Sequence, residues 1–420
     1  MITNSEIRKI MKKIVVGIGA VIVVAGVLLS ALYAQTWNPI WNPFRPEAEE
    51  VISEMSEKMK TLDSFHSDYL IKARIKEKGD SLVLRIRSDI DQKDEENLKG
   101  YSDIDITLSY KAHSYPFLLE AISIGKEQSY LKIKRLPDIS ALLSLFPEAQ
   151  QETLLFSLLF SSIKDEIQGK WIKVDEESIK ELYKEIGVAY LEQELGGLSE
   201  FQQKEMEEKL IQLLEDKKLY YVDEELPDEK IGNVKVYHYR LVIDKEGLKS
   251  LIPDFLEIVI DYSSSSFREQ GISSEEVKKI IEEVDLPLLI DKLFEKVGNI
   301  EYELWIGQKD KYLYRIEFSK EINLEKFKEV MVEYAQEIAL EKGKETISRE
   351  NIQELERILQ GTLLISMRID FSNFNKVENI QPPDDFLTIK EVMQNIFERF
   401  FNTMMRQGVQ GITPKMDIPI

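Results

Sequence analysis

The stretch DYLIKARIKEKGDSLVLRIRSDID, residues 68–91, decides the fold class of this chain. Apolar and polar side chains alternate on both sides of Gly79 and Asp80, a dipeptide typical of tight turns. Because successive side chains of a strand point to opposite faces, the pattern predicts a hairpin with one apolar and one solvated face. The apolar positions are Tyr69, Ile71, Ala73, Ile75, Leu82, Leu84 and Ile86.

The same alternation returns at intervals as far as residue 374. It is clearest at 101–110, in FLLEAISIG (117–125) and SYLKIKRL (129–136), at 233–244, in the hairpin 300–319 with its turn at 308–311, and in the last strand, 362–374. Short stretches at 171–175 and 219–223 also read as strands, which brings the count to about eleven. Short connections between the first five favour an antiparallel sheet, and the inserted helices make the fold class α+β rather than doubly wound α/β.

Helical periodicity appears at both ends of this strand-rich region. Residues 47–62 place Val51, Met55, Met59 and Leu62 on one stripe of an amphipathic helix, and a closing helix is predicted from about residue 385 to 405. Charged helical insertions are predicted at 176–218 and within 322–359, and residues 138–163 are apolar on more than one face. The domain therefore spans 48–390, followed by the C-terminal helix and tail, 391–420.

An apolar run at residues 14–34 is long enough to cross a hydrocarbon core as a helix. Arg8, Lys9, Lys12 and Lys13 precede it against one acid, which places residues 1–13 in the cytoplasm and the body outside. Leucine occupies the position where a cleavage site needs a small residue, so an uncleaved anchor is favoured over a cleaved signal.

Residues 35–47 carry aromatic and proline residues directly after this run. Amphipathic rings favour the headgroup zone, and prolines hold a chain extended. This predicts an aromatic collar and spacer, with an ordinary proline-bearing linker as the alternative. The predicted interface residues are Tyr33, Trp37, Trp41 and Phe44.

Composition limits the possible functions. The chain has 420 residues, no cysteine and a net charge of −21. The lack of cysteine excludes disulfides, a cysteine nucleophile and a lipid-modified N-terminal cysteine. The negative charge argues against nucleic acid as a partner.

Catalytic and metal-binding patterns are absent from the sequence. The three histidines, His66, His113 and His238, are dispersed, and neither a phosphate-binding glycine loop nor a nucleophile elbow occurs. The motif SDID occurs twice, at 88–91 and 102–105, and its acids either bind calcium or form a solvated face, the latter being favoured. No cofactor, metal or enzymatic activity is predicted.

Apolar helices that neighbour a one-sided sheet suggest an enclosed apolar cavity, if the sheet curves and the helices lie across its concave face. The alternative is that the same residues pack a solid core. The cavity candidates are Leu84, Ile106, Tyr239 and Ile369 on the sheet and Leu142, Phe146, Phe156 and Phe160 in the segment 138–163.

Five features resemble the LolA/LppX-like lipoprotein-carrier superfamily: the opening helix, the strands from SYLKIKRLPD to WIKVD, VYHYRLVID, ELWIGQKDKYLYRIEFS and RIDFSNFNKVENIQPPDD. The resemblance implies an antiparallel half-barrel of about eleven strands with helices plugging a hydrophobic cavity. Two departures are the missing lipobox cysteine and the long insertions.

The function expected is a single-pass, membrane-anchored extracytoplasmic protein that binds a lipid or lipidated partner. The alternative is a structural or interaction protein of the cell surface with a protein partner.

Overall fold

The fold is given by a computed structural model. It describes residues 46–137 except 95–96 and 126–127, 163–174 except 165, eight residues between 205 and 217, 219–262, 285–341, and 359–406 except 379. The predicted collar, the membrane segment and the four candidates in 138–163 lie outside these residues. Among the residues described, no helix is both long and apolar enough to span a membrane.

The named helices are α1 (Ala48–Lys60), α2 (Lys245–Tyr262), α3 (Leu286–Val297), α4 (Leu324–Glu341) and α5 (Ile389–Arg406). The strands are β1 (Ser64–Ile75), β2 (Ser81–Asp91), β3 (Lys99–Tyr110), β4 (His113–Ile124), β5 (Gln128–Arg135), β6 (Trp171–Lys173), β7 (Tyr220–Ile231), β8 (Val234–Ile243), β9 (Glu301–Gly307), β10 (Leu313–Asn323), β11 (Thr362–Ser372) and β12 (Leu387–Thr388). The prediction of α+β is confirmed.

The twelve strands follow the order β12-β6-β5-β4-β3-β2-β1-β11-β10-β9-β8-β7. Neighbours pair antiparallel wherever a register is defined, except β12, which runs parallel to β6. Each stretch predicted as a strand is a strand. Among the strands of the described residues, the sequence analysis missed β12, because two residues are too short to show alternation.

Strand β7 is longer than the predicted stretch 219–223. It continues through Glu224, Glu225 and Pro227 to Ile231, with register shifts against β8 between Val222 and Glu224 and between Leu226 and Glu229. A strand at the end of a sheet tolerates charge, bulges and a proline that lacks a backbone N–H. Because β7 ends the sheet order, these residues extend the strand without showing apolar alternation.

Contacts divide the described residues into two compact units. Unit 1 comprises the described residues up to Leu62, Ile71–Gly79 and those within Leu191–Phe371. Unit 2 comprises Asp63–Leu70, the described residues within Asp80–Tyr190 and those from Ser372 onwards.

Unit 1 has a closed apolar core. Tyr239 of β8 faces Leu304 of β9, which faces Ile316 of β10, which faces Ile369 of β11, so the four side chains form one row across the sheet. Their exposed fractions are only 0–5%. Helix α1 contacts β7 and β9 and buries its predicted stripe of Val51, Met55 and Met59. The Leu313 backbone N–H, 3.4 Å from the Met59 sulfur, ties this helix to β10.

The β9–β10 turn in unit 1 requires a glycine at 307. A Cβ atom there would lie 1.9 Å from Asp310 Oδ1 and 2.9 Å from a ring carbon of Tyr314. Asp310 has little freedom to retreat, because it accepts hydrogen bonds from the Tyr312 backbone and the Tyr314 hydroxyl. The predicted turn at 308–311 therefore depends on the missing side chain of Gly307.

Candidate functional site

The candidate site is an apolar face of unit 2 built from neighbouring rows of side chains. In β2 and β3, Leu82 faces Leu108, Leu84 faces Ile106 and Ile86 faces Ile104. The rows continue onto β4. We call this set the unit 2 apolar face: Leu82, Leu84, Ile86, Ile104, Ile106, Leu108, Tyr115, Phe117 and Leu119.

The unit 2 apolar face is only partly covered. Leu82 and Leu108 are exposed by 44% and 37%, and of the other members only Tyr115 is buried. The matching row of unit 1 is closed at 0–5% exposure. Contiguous apolar surface is costly in water, and it often marks a binding site.

Helix α5 covers the far end of the same sheet face. Ile172 of β6 faces Leu131 of β5, which faces Ala121 of β4. Ile172 is buried with Val392 and Ile396 of α5. Helix α5 therefore packs over β6, several strands away from the exposed pair Leu82 and Leu108.

Two serines interrupt the apolar rows on β2 and β3. Ser88 of β2 and Ser102 of β3 form the row after Ile86 and Ile104, and their hydroxyl oxygens lie 2.8 Å apart. One hydroxyl donates to the other, so each polar side chain has a partner within the sheet. The face therefore changes from exposed apolar side chains at one end to a hydrogen-bonded polar pair at the other.

The opposite face of the same strands is charged and internally paired. Arg85 binds the Asp68 carboxylate at 2.9 and 2.5 Å, Arg87 pairs with Asp103, and Lys134 bonds Glu120 at 3.0 Å. Opposite charges on neighbouring strands support sheet pairing.

The hydrogen bonds and ion pairs of the charged face shift two pKa values. Burial, the hydrogen bond to Glu120 and the negative charge of Glu120 raise the pKa of Tyr101 to about 12. Burial alone would raise the pKa of Glu120, but hydrogen bonds from Lys134 and Tyr101 and the nearby lysine charges outweigh it, so that pKa is lowered. The SDID acid Asp103 is thus a member of a charged network that includes Arg87 and Lys134.

A second carboxylate, Glu166, attaches α5 to unit 2. It is 3% exposed, and it accepts from Lys170 at 2.6 Å and Asn395 at 2.8 Å and pairs with Arg399 at 3.1 Å. Burial would raise its pKa, but the bonds from Lys170 and Asn395 and the charges of Lys170 and Arg399 hold the pKa below its ordinary value. Glu166 is a structural anchor for α5.

Histidines lie within the sheet network. The ring of His66 is 2.7 Å from Asp89. Asp89, like Asp103, is therefore an acid of an SDID motif that has a basic partner. His238 lies between Glu229 at 3.2 Å and Glu303 at 2.9 Å and stacks on Trp305 at 4.1 Å between ring centroids. These contacts join β7, β8 and β9, which is a structural role.

The predicted sheet candidates fall in two places. Leu84 and Ile106 are directly paired in unit 2 and half-buried. Tyr239 and Ile369 belong to the closed row of unit 1. Leu142, Phe146, Phe156 and Phe160, with Tyr33, Trp37, Trp41 and Phe44, lie outside the described residues, so all these assignments stay predictions.

The sequence analysis did not select the most exposed members, Leu82 and Leu108. Both were recognised as alternating strand residues, but alternation says which face a side chain shares and not how well that face is covered. Their position beside the β1–β2 turn and the β3–β4 turn was the available clue, since strand ends are the least covered part of a sheet.

Two of the solved structures that are similar to this chain come from mycobacteria. The lipoprotein LppX of Mycobacterium tuberculosis has 11% sequence identity, with 79% of this chain and 97% of LppX covered, at a TM-score of 0.26. LprF of Mycobacterium bovis has 10% identity, with 80% of this chain and 95% of LprF covered, at a TM-score of 0.28. No protein-family model and no curated protein sequence matches the chain. Identities and TM-scores this low carry no argument about this chain's function.

Proposed function

We propose that this protein is a membrane-anchored extracytoplasmic protein that binds a hydrophobic ligand, either a lipid or a lipidated partner, and does not catalyse a reaction. The observation that carries the proposal is the incomplete cover of the unit 2 apolar face, with Leu82 and Leu108 exposed by 44% and 37%. An acyl chain laid along these rows gains about 25 cal/mol for each Å² of apolar surface removed from water.

The difference between the two faces of the unit 2 sheet supports binding of the ligand on the unit 2 apolar face. The charged side chains of the opposite face, including Asp68, Arg85, Arg87 and Glu120, are already paired within that face. A hydrocarbon ligand on that face would have to cover paired charges, whereas the unit 2 apolar face presents the exposed Leu82 and Leu108. In this proposal the sheet curves as a half-barrel with helices on its concave side, the arrangement that the family resemblance implies.

The anchor is the second part of the proposal. The apolar run 14–34 and its basic flank hold the chain to the membrane, and the body lies outside the cytoplasm. A retained anchor makes the protein act at one membrane, where it receives, holds or senses its ligand rather than carrying it between membranes.

The deciding experiment uses residues 46–420, which contain every described residue. The purified protein is extracted with organic solvent and the extract examined by mass spectrometry, and binding of a fluorescent fatty acid is titrated. Co-purifying lipid or saturable fatty-acid binding is the expected result. If neither is found, hydrophobic-ligand binding is rejected.

A second candidate function follows from unit 1. Its apolar row is closed at 0–5% exposure, which is the packing of a solid core rather than a cavity wall. This favours, for that unit, a structural or interaction protein whose charged surface meets a protein partner. Retention of one specific envelope protein on immobilised residues 46–420, with no lipid bound, is the result that this alternative expects.

A further inference from the structure

Three oxygen atoms are buried without partners beneath helix α1 in unit 1. Glu49 of α1, Tyr220 of β7 and Tyr302 of β9 are exposed by 5%, 6% and 2%. Glu49 Oε2 and both tyrosine hydroxyls are inaccessible to solvent and have no hydrogen-bond partner among the described residues. Buried polar groups are nearly always paired, so three unpaired oxygens in one region require an explanation.

The three groups belong to one cluster. Helix α1 contacts both β7 and β9. The rings of Tyr220 and Tyr302 meet edge to face, with centroids 6.3 Å apart. Burial and then the negative charge of Glu49 raise the pKa of Tyr220, and burial followed by the influence of Tyr220 raises the pKa of Tyr302. Tyr220 thus lies close to both other members.

The surroundings are apolar. Val51 and Ile52 of α1 are exposed by 0% and 1%, and Leu241, which faces Tyr302, by 0%. A carboxylate oxygen buried in such a place is unfavourable unless a positive charge or a hydrogen-bond donor joins it. The described residues provide no hydrogen-bonded cation to the buried Glu49 oxygen.

We propose that Glu49, Tyr220 and Tyr302 form a binding site for a singly charged cation of the size of K⁺ or ammonium. The carboxylate balances one positive charge, and the two phenolic oxygens offer lone pairs. Three oxygens accept from three of the four N–H groups of ammonium, or supply part of the oxygen shell of an alkali ion, and aromatic rings attract cations further. One carboxylate does not balance a divalent ion. Full burial excludes a bulky cation.

This site is independent of the proposed function, since it lies in unit 1 and uses none of the unit 2 apolar face. The cation fastens the first turn of α1 to the sheet. Its measurable effect is therefore on stability, because a ligand that binds only the folded state raises the unfolding midpoint.

The test is thermal unfolding of the full chain in detergent at constant ionic strength, in chlorides of K⁺, ammonium, Na⁺ and tetramethylammonium. K⁺ or ammonium is expected to raise the midpoint by about 3 °C over tetramethylammonium at ten times its dissociation constant, and the effect should saturate. Equal midpoints in all four salts overturn the proposal.

Variants locate the effect. Glu49→Gln removes the charge and should abolish the cation dependence, whereas Glu50→Gln, the neighbouring exposed acid of α1, should keep it. If Glu49→Gln does not fold, Tyr302→Phe decides, because it keeps the ring and removes one oxygen, and it should raise the dissociation constant about tenfold. A cation dependence unchanged in both Glu49→Gln and Tyr302→Phe places the bound cation elsewhere and overturns the site.

Discussion

Leu108 and Leu98 are both exposed leucines of unit 2, but only Leu108 is a member of the unit 2 apolar face. Leu98 is 50% exposed and precedes β3, outside the rows. An exposed leucine by itself indicates nothing, because most protein surfaces carry apolar atoms. Leu108 indicates a binding surface because apolar residues, Leu82 and Tyr115, face it on both neighbouring strands.

The pair of leucines provides a direct test of ligand binding. Leu108→Glu introduces a charge into the apolar rows, where an acyl chain would have to desolvate it, so fatty-acid binding by residues 46–420 should weaken at least about tenfold. Because the side chain is 37% exposed, the unfolding free energy should change by less than about 1 kcal/mol.

Leu98→Glu is the matched control for this experiment. It adds the same charge at a similarly exposed leucine away from the rows, and binding should stay at the wild-type level. Equal loss of binding in the two variants would show a general charge effect and would count against the unit 2 apolar face as the site.

Glu166 predicts a stability difference that depends on pH. Glu166→Gln leaves Lys170 and Arg399 without their buried carboxylate and should cost about 3 kcal/mol at pH 7. The folded-state pKa is lowered from its ordinary value of 4.5. The contribution of the carboxylate is therefore fully present above about pH 4.5 and is lost as the pH falls through the folded-state pKa.

Urea unfolding between pH 7 and pH 3 measures this effect. The gap between wild type and Glu166→Gln should be constant down to about pH 4.5 and then narrow. Glu57→Gln is the control, since Glu57 forms an exposed pair with Lys60 at 3.2 Å and its loss should be nearly neutral at any pH. A gap that widens on acidification would contradict the assigned direction of the pKa.

At the scale of elements, the turns and strand edges carry information that alternation does not. The β9–β10 turn depends on Gly307, whose place a side chain cannot share with Asp310. Edge strand β7 runs through Pro227 and a series of acids, which shows that pairing with β8 outweighs weak strand propensity.

Gly307→Ala should destabilise the protein by about 2 kcal/mol, because Asp310 must give up hydrogen bonds to Tyr312 and Tyr314 to make room. Gly100→Ala in β3 is the control, as its Cβ meets nothing within 4 Å, and it should be neutral or slightly stabilising. Chemical denaturation of the two variants checks this. Equal stability would mean that the turn readjusts around residue 307.

At the scale of the whole molecule, the proposed anchor separates two modes of action. If residues 14–34 stay in the membrane, the full chain should remain in the membrane pellet after alkaline carbonate extraction, and a chain starting at residue 46 should be released. The N-terminus of the native protein should precede residue 14. Sequencing that begins at Gln35 would instead identify a cleaved signal and a released carrier.

The amino-acid sequence by itself determined most of the strands, their one-sided character and the α+β class. The alternation in stretches such as 68–91 is a local property of the sequence. It also fixes the register of each strand, because a one-residue slip would turn every side chain to the wrong face. It also placed Leu84 and Ile106 on one face, where the structure pairs them directly.

Only the tertiary structure decided which apolar positions are covered. Tyr239 and Ile106 have the same alternating pattern, but Tyr239 is fully buried within unit 1, whereas Ile106 is half-buried in unit 2. The cluster of Glu49, Tyr220 and Tyr302 likewise joins residues that are far apart in the chain. Periodicity assigns a side chain to a face, but burial depends on which distant element packs against that face, and no local pattern records that element.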